Sequence, residues 1–357
     1  MIGPLVKRST QDRSTTIELP ARSLTAQSAF GPINVTRDTL LSSVVANRCV
    51  ALISDSIGSL PLHAERGGEE IPTPTLLAAP EVGKTPAEFM TALVTSLLIN
   101  GNAYLLIGRR DGLGFPQTLV LLDPEAIQVY VQGGVTRYKT AGGELNPEDV
   151  LHILNQSLPG HAIGYGPLDY SRQAIAQTIA GDQYAAQAFT TGALPDGVLT
   201  SENEITSDQA QDLKAAWIAG NGGRQRGPAV LSGGVKYHPL EFSSVDMELL
   251  DSRRYNQIQI CTQFGVPPHL VGVPSQDSKT YSNLTQDSQS FFRFTLRPLA
   301  VKIEQSLSTL LPRGQRARFN FDAVLRGTTA ERYAAHEVAL RAGFMTVEEV
   351  RALEGLA

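Results

Sequence analysis

The first hundred residues carry an apolar pattern that predicts two long helices. Apolar side chains recur at near-helical spacing over about 36–57. The second helix is expected to begin after Thr85, since a proline follows at the first helical position and Glu88 stands at the third. Gly101 supplies the expected C-terminal stop. Residues 1–35 lack any such period, and we expect an extended or mobile arm there.

Short apolar runs with turn residues between them dominate the next fifty positions and predict an antiparallel sheet. Three long helices follow, at 167–191, 245–264 and about 282–310. The first of them should be about 38 Å long at about 1.5 Å per residue. Pro298 is expected to kink or split the third. The strands predicted outside residues 196–244 are 61–65, 103–107, 118–122, 127–132, 136–140, 151–154 and 317–321.

A separable unit is predicted at 196–244, between two helices that should run back to back. It contains a strand, a helix, a glycine-rich loop and two more strands. The chain closes with two helices, each with a capping box, Thr328 with Glu331 and Thr346 with Glu349. The predicted fold class is therefore α+β, with antiparallel sheets and a few long helices.

The composition narrows the classes of protein. A chain of 357 residues can form two or three compact units, and its 18% of charged residues is below the usual quarter. The net charge of −5 argues against a protein that binds nucleic acid by bulk electrostatic attraction. It does not exclude a protein past which DNA moves, because DNA that must move should not be bound tightly. Cys49 and Cys261 lie in apolar helical patterns and are expected to be buried free thiols, which fits assembly in a reducing cytoplasm. No segment is apolar enough to predict a membrane span.

Sequences that suggest chemistry have simpler explanations. Gly83-Lys84-Thr85 resembles the end of a phosphate-binding loop, but Ala78 stands where that loop needs glycine and Pro86 removes an N–H, so a helix cap is favoured. The loop 220–227 offers Arg224 and Arg226 to an anion, yet a solvated hairpin loop is favoured. The histidines lack metal-ligand spacing. We therefore predict no catalytic residue, cofactor or metal.

The stretch FGVPPHLVGVPSQDSKTYSN, residues 264–283, collects reactive side chains after a predicted helix. His269 lies between a proline and a leucine, which favours a structural role in a turn. No base is evident for Ser278, Lys279 or Tyr281. Prolines stiffen the exit from one helix and a new helix follows, so the stretch is expected to project as a loop held at both ends.

The order of motifs along most of the chain resembles the portal proteins of tailed bacteriophages, in the branch with a short single-polypeptide portal. Each motif alone is weak, and their order makes the resemblance specific. One departure is Glu348, where the family often has asparagine before the Glu-x-Arg pair. The motifs are SSVVA (42–46), IGSLPL (57–62), LLINGNAY (97–104), RRDG (109–112), DVLHI (149–153), GYGPL (164–168), Phe189 with GALPDG (192–197), FGVPPHLVG (264–272), Phe292 with TLRP (295–298), and 343–351.

The resemblance implies a ring of usually twelve copies at one capsid vertex of the virion, with a central channel for double-stranded DNA. It implies as partners the terminase large subunit, a head–tail adaptor and the major capsid protein, with no cofactor and no membrane. Assembly would take place in the host cytoplasm. The implied parts are a mobile arm (1–35), a wing (36–166 and 283–327), stem helices (167–195 and 245–264), a clip (196–244), a tunnel loop (265–282) and a reduced helical crown (328–357).

The resemblance also selects candidate site residues. Weak, repeated contacts suit a channel for a sliding polyanion, and closed symmetry would turn one modest loop into a ring of contacts. The alternatives are a nucleotide-binding packaging enzyme that uses Gly83-Lys84-Thr85, and a head–tail adaptor ring. The candidates are Gln276, Asp277, Ser278, Lys279, Thr280 and Tyr281 at the loop tip, Asp246, Glu248 and Asp251 facing the channel from the stem, and Arg224 and Arg226 in the clip.

Overall fold

The first predicted helix is two helices in the computed structural model: α1 (Arg37–Ser42) and α2 (Val44–Gly58). Ser43 between them has extended backbone angles, φ −75° and ψ 113°. Serine competes for nearby main-chain groups, and the Ser42 hydroxyl bonds to the Thr39 carbonyl. Apolar spacing carries across a one-residue break, so the pattern could not reveal it.

The structure describes residues 17–18, 25–28, 31–191, 197–201, 206–212, 215, 235–239, 244–274, 287–321, 329–354 and 356.

The helix predicted after Thr85 is confirmed as α4 (Pro86–Asn100), which follows the short α3 (Thr75–Ala78). The Thr85 hydroxyl accepts the Glu88 N–H at 3.2 Å, and the Glu88 carboxylate accepts the Thr85 N–H at 2.8 Å. Gly101 ends the helix at φ +69°, where a Cβ would lie 2.4 Å from the main chain of the segment at 165–166. Helices α2 and α4 pack together and form the centre of the main apolar core.

The described strands form small sheets, and the pairings between them are antiparallel. The predicted sheet after α4 is divided between two of them, with strand orders β11-β6-β7 and β1-β8-β9-β10. The chain before α1, expected to be an extended or mobile arm, contributes β1 to the edge of β8 and a hairpin, β2–β3, that packs on the long helix α5 (Pro167–Thr191). The strands up to that helix are β1 (Ile17–Glu18), β2 (Thr25–Ser28), β3 (Gly31–Asn34), β4 (Leu62–Arg66), β5 (Glu69–Ile71), β6 (Asn102–Ile107), β7 (Leu119–Leu122), β8 (Gln128–Gln132), β9 (Val135–Thr140), β10 (Gly143–Leu145), β11 (Val150–Leu154), β12 (Gln156–Ser157) and β13 (Gly164–Tyr165).

Two long helices lie side by side as predicted, α5 and α6 (Ser244–Phe264), and Arg253 pairs with Asp182 between them. Between them in sequence, β14 (Gly197–Ser201) pairs with β15 (Val235–Pro239), and residues 207–212 are helical. The predicted strand at 229–231 lies outside the described residues. Among the described helices, none combines the length and apolarity needed to cross a membrane.

The third long helix is interrupted where the sequence has a proline. Residues 287–308 are helical, but Phe292–Leu296 forms a π turn before α7 (Arg297–Ser308). The Arg297 N–H bonds to the Phe292 carbonyl, five residues back. Pro298 has no N–H to continue the α-helical ladder at that point, which accounts for the local widening. The prediction of a kink or split at Pro298 thus corresponds to a π turn just before it.

The last described strand, β16 (Gln315–Phe319), pairs with β4 in the sheet β16-β4-β5. Two helices close the chain, α8 (Thr329–Ala342) and α9 (Val347–Leu353). The capping box of Thr346 with Glu349 is confirmed, with the Thr346 N–H 2.8 Å from the carboxylate. The cap predicted at position 328 lies outside the described residues. Glu354 then accepts hydrogen bonds from α8, from Arg332 at 3.0 and 2.9 Å and from His336 at 3.0 Å.

Candidate DNA-channel loop and its anchors

The loop predicted from FGVPPHLVG begins with a sharp turn at the end of α6. Gly265 has φ +67°, a conformation that favours glycine, and the Val266 N–H bonds back to the Cys261 carbonyl at 2.9 Å. A short 3-10 helix, Pro268–Val271, follows and ends at Gly272, with φ +79°. His269 lies in this turn, as predicted. The prolines and glycines therefore reverse the chain direction within eight residues.

Both ends of the following segment are anchored. Before it, Arg254 of α6 donates a hydrogen bond of 2.9 Å to the Pro274 carbonyl. After it, the Asp287 carboxylate lies 3.6 Å from the His269 imidazole. Residues 275–286, between these anchors, lie outside the described part of the chain. The residues on either side of 275–286, Pro274 and Asp287, thus both lie against α6 or its exit.

A third contact ties the helix after the loop to the helix before it. The Thr295 hydroxyl, in the π turn, donates a hydrogen bond of 2.6 Å to the Gly265 carbonyl. A Cβ on Gly265 would lie 2.6 Å from that same hydroxyl, so the absence of a side chain permits the approach. The π turn sets which side chain of the helix faces Gly265. We conclude that the exit from α6 and the π turn form one packed unit.

The anchors lie over the main core. The side chains of Ile260 and Cys261 are fully buried, and Phe264, Val266 and Phe291 are nearly so. Cys261 contacts Cys49 of α2, and both are free thiols, as predicted. A hydrogen bond between the two thiols and their burial raise the pKa of Cys49 above its ordinary value. The base of the loop is therefore held by packing against the helices that begin the chain.

The described structure contains only part of the predicted site. The loop-tip residues 276–281 and the clip residues Arg224 and Arg226 lie outside it. Asp246, Glu248 and Asp251 fall in the first half of α6, where the backbone alone is described. Positions 248 and 251 are three residues apart and share one face of a helix, whereas position 246 falls on another.

Sequence reasoning missed the anchoring residues. Gly265 and Thr295 both belong to motifs that carried the family resemblance, but nothing in the sequence pairs them. Arg254 and Asp287 were not singled out, because Arg254 bonds to a carbonyl and Asp287 lies near a histidine that is distant in sequence. Neither contact joins residues three or four apart, which is the spacing by which side-chain pairs are predicted within a helix.

Gly83-Lys84-Thr85 is structural, as favoured from the sequence. Thr85 caps α4, and the Lys84 ammonium lies 2.7 Å from the Glu81 carboxylate. A phosphate would therefore compete with an existing ion pair and meet a helix terminus already capped by Glu88. Within the described ranges, no group of three or more His, Cys, Asp and Glu side chains is arranged to hold a metal ion.

Comparison with known proteins decides the family. The family model described as phage portal protein matches residues 44–355. The chain belongs to the phage portal protein family. The portal protein is 31% identical to the probable portal protein of Streptomyces phage phiC31, over 93% of this chain and 78% of that relative. It is 25% identical to the portal protein of Enterobacteria phage HK97, over 93% and 83% of the two chains.

Solved structures agree on the fold. A chain from the virion of a native gene transfer agent particle superposes with a TM-score of 0.65 and is 25% identical, over 90% of this portal protein and 94% of that chain. An HK97-family phage portal protein from Corynebacterium diphtheriae gives a TM-score of 0.55 at 20% identity, over 82% and 98%. The α+β portal fold and the portal function expected from the sequence are thereby confirmed.

Proposed function

We propose that this portal protein assembles into a closed ring of twelve copies at one capsid vertex and that double-stranded DNA passes through its channel during packaging and ejection. The family match supports the channel. The observation that carries the assignment of the loop is its anchoring, since Arg254 of α6 donates to the Pro274 carbonyl and the Asp287 carboxylate lies 3.6 Å from His269 at the exit of α6. A segment with fixed ends and a polar tip can meet a moving duplex repeatedly without being displaced.

The parts of the chain take the roles that the resemblance implies. The loop tip, Gln276 to Tyr281, contacts DNA, with Lys279 giving one positive charge per subunit. Glu248 and Asp251, on one face of α6, repel the phosphates and keep the contact weak. The clip, with Arg224 and Arg226, docks the terminase large subunit and later the head–tail adaptor, and the wing meets the major capsid protein. The proposed units are 1–35 (arm), 36–166 and 283–327 (wing), 167–195 and 245–264 (stem), 196–244 (clip), 265–282 (tunnel loop) and 328–357 (crown).

Deletion of 275–280 tests the role of the loop. Because the anchors lie outside the deleted segment, rings should form as in the unmodified protein when counted by electron microscopy, while DNA packaged per particle should fall. Lys279→Ala should give a smaller defect, and Lys84→Ala is its matched control, since it removes a lysine paired on the wing surface. Loss of rings on deletion would make the loop an assembly interface, and normal packaging would overturn its contact with DNA.

A further inference from the structure

A groove runs along the C-terminal end of α4. Three neighbouring cavities of about 420, 560 and 720 Å³ share Asn100 as a lining residue and adjoin one another along the turn 123–125. We call the three together the α4 groove. The portal function described above uses no part of it.

One end of the α4 groove is apolar and its middle is acidic. The apolar cavity is lined by Leu41 of α1, Thr95 of α4 and Leu121 of β7, among others. The middle cavity carries the exposed carboxylates of Asp38 and Glu125. Neither has an ion-pair partner in the part of the chain that the structure describes.

The other charges of the middle cavity are already engaged. Arg37 lies 3.7 Å from the Asp123 carboxylate. Arg172 donates hydrogen bonds to the Asp169 carboxylate at 3.1 Å and to the Val35 carbonyl at 3.0 Å. The cavity therefore leaves negative charge uncompensated beside an apolar cavity. A suitable occupant is an extended peptide with apolar side chains next to basic ones.

The residues before β1 have this chemistry. In MIGPLVKRSTQDRSTT, residues 1–16, the apolar residues Ile2, Leu5 and Val6 are followed by Lys7 and Arg8. With one further arginine and a single aspartate, the segment has three basic side chains and one acidic one. The apolar group and the basic group are adjacent, as the apolar and acidic cavities are. One stretch of this chain can therefore place apolar side chains in the apolar cavity and basic side chains in the acidic one.

The segment also starts close to the α4 groove. Ile17 pairs with Val131 of β8, and Gln128 of the same strand lines the 720 Å³ cavity, about 10 Å away at about 3.4 Å per residue. Because β1 is antiparallel to β8, the residues before Ile17 leave toward Gln132 and must turn back to reach the groove. Sixteen residues can span about 50 Å when extended. Because β1 holds one end, the effective concentration of the segment at the groove is of the order of millimolar. The described chain then returns to the middle cavity at Val35.

We propose that residues 1–16 of each portal chain bind in the α4 groove of the same chain, with the apolar residues against α4 and β7 and the basic residues against Asp38 and Glu125. The occupant is thus the N-terminal segment itself, which covers the wing surface.

Cross-linking on the full-length chain tests this inference. In a variant with Leu5→Cys and Thr95→Cys, a short bis-maleimide should join the two cysteines within one chain, as seen by mass spectrometry of the denatured protein. The native Cys49 and Cys261 are fully buried and should not interfere. Leu5→Cys with Thr309→Cys, at an exposed position that lines none of the three cavities, is the matched control. Yields equal to the control would overturn the proposal, and cross-links between chains would overturn the same-chain assignment.

Charge reversal in the groove and hydrogen exchange on a chain without introduced cysteines test the same contact independently. Asp38→Lys with Glu125→Lys should lower the intrachain yield roughly fivefold to tenfold, whereas Glu69→Lys on β5 should not. If the cysteine variants fail to fold, hydrogen exchange on the natural chain and on a chain lacking 1–16 decides. Faster exchange at 92–100 and 119–126 after the deletion supports docking, and unchanged exchange there overturns it.

Discussion

The Glu304 carboxylate of α7 accepts a hydrogen bond of 2.8 Å from the main-chain N–H of Phe319 in β16. One turn later on the same helix, the Ser308 hydroxyl accepts the Ala317 N–H at 2.9 Å. Both N–H groups lie on an edge strand, which would otherwise present unpaired donors. The edge of β7 is covered in the same way, since the Glu81 carboxylate lies 3.4 Å from the Leu121 N–H. Side chains therefore terminate these two sheets.

Glu304→Ala should destabilise the portal protein by about 2–4 kcal/mol, because it leaves the buried Phe319 N–H without an acceptor and removes one of the two carboxylates beside Arg318. Glu304→Gln keeps one acceptor oxygen and should cost less. Gln305→Ala, at the next and exposed position, is the control. The measurement is the midpoint of urea unfolding. Equal midpoints for Glu304→Ala and the control would show that the edge bond contributes nothing.

The example of Glu304 shows what the sequence could and could not predict. Glu304 shares a helix face with buried Ala300, Ile303 and Leu307, so the pattern could have marked it as a buried carboxylate. Its partner is a main-chain group, which has no signature in the sequence. Helix caps such as Thr85 were predictable because both partners lie within four residues. The loop anchors, like Glu304, depend on contacts between distant segments.

His152 should make the portal protein less stable in mild acid. It stacks on Tyr104, accepts from the Tyr138 hydroxyl at 3.3 Å and lies 3.0 Å from the Asn102 amide oxygen. Desolvation by burial lowers the pKa of His152 from 6.5 to about 4. Between these two values the unfolded chain takes up a proton that the folded chain does not, so stability present at pH 7 is lost as the pH falls, by about 3 kcal/mol in total.

Urea unfolding at pH 7 and pH 4.5 measures this loss. His152→Gln cannot titrate and can still donate to Asn102, so its difference between the two pH values should be smaller than that of the natural protein. His63→Gln is the control, because it removes another histidine outside the aromatic group of Tyr104 and Tyr138. An unchanged pH difference in His152→Gln would assign the acid sensitivity to other groups.

The two buried thiols should not react in the native portal protein. Cys49 and Cys261 are fully buried and contact each other between α2 and α6, and the pKa of Cys49 is raised by that contact and by burial. A thiol-specific reagent should modify neither until the chain unfolds, and then two per chain. Ser59→Cys, at the exposed position directly after α2, is the comparison for an accessible thiol. Rapid native labelling of Cys261 would mean that the loop base opens readily.

Gly265→Ala should damage the loop base more than Gly272→Ala. Both glycines have positive φ, so an alanine at either pays a conformational cost of about 1 kcal/mol. Around Gly272 nothing lies within 4 Å of the position that a Cβ would take, whereas at Gly265 a Cβ would be 2.6 Å from the Thr295 hydroxyl. The clash should add about 1–3 kcal/mol and weaken the hydrogen bond that ties the π turn to α6.

Thr295→Val in the Gly265→Ala background should not restore stability, since it keeps the clashing volume, whereas Thr295→Ala should recover part of it. Urea midpoints of the four variants decide, and equal losses at the two glycines would show that the contact between Gly265 and Thr295 does not constrain the loop.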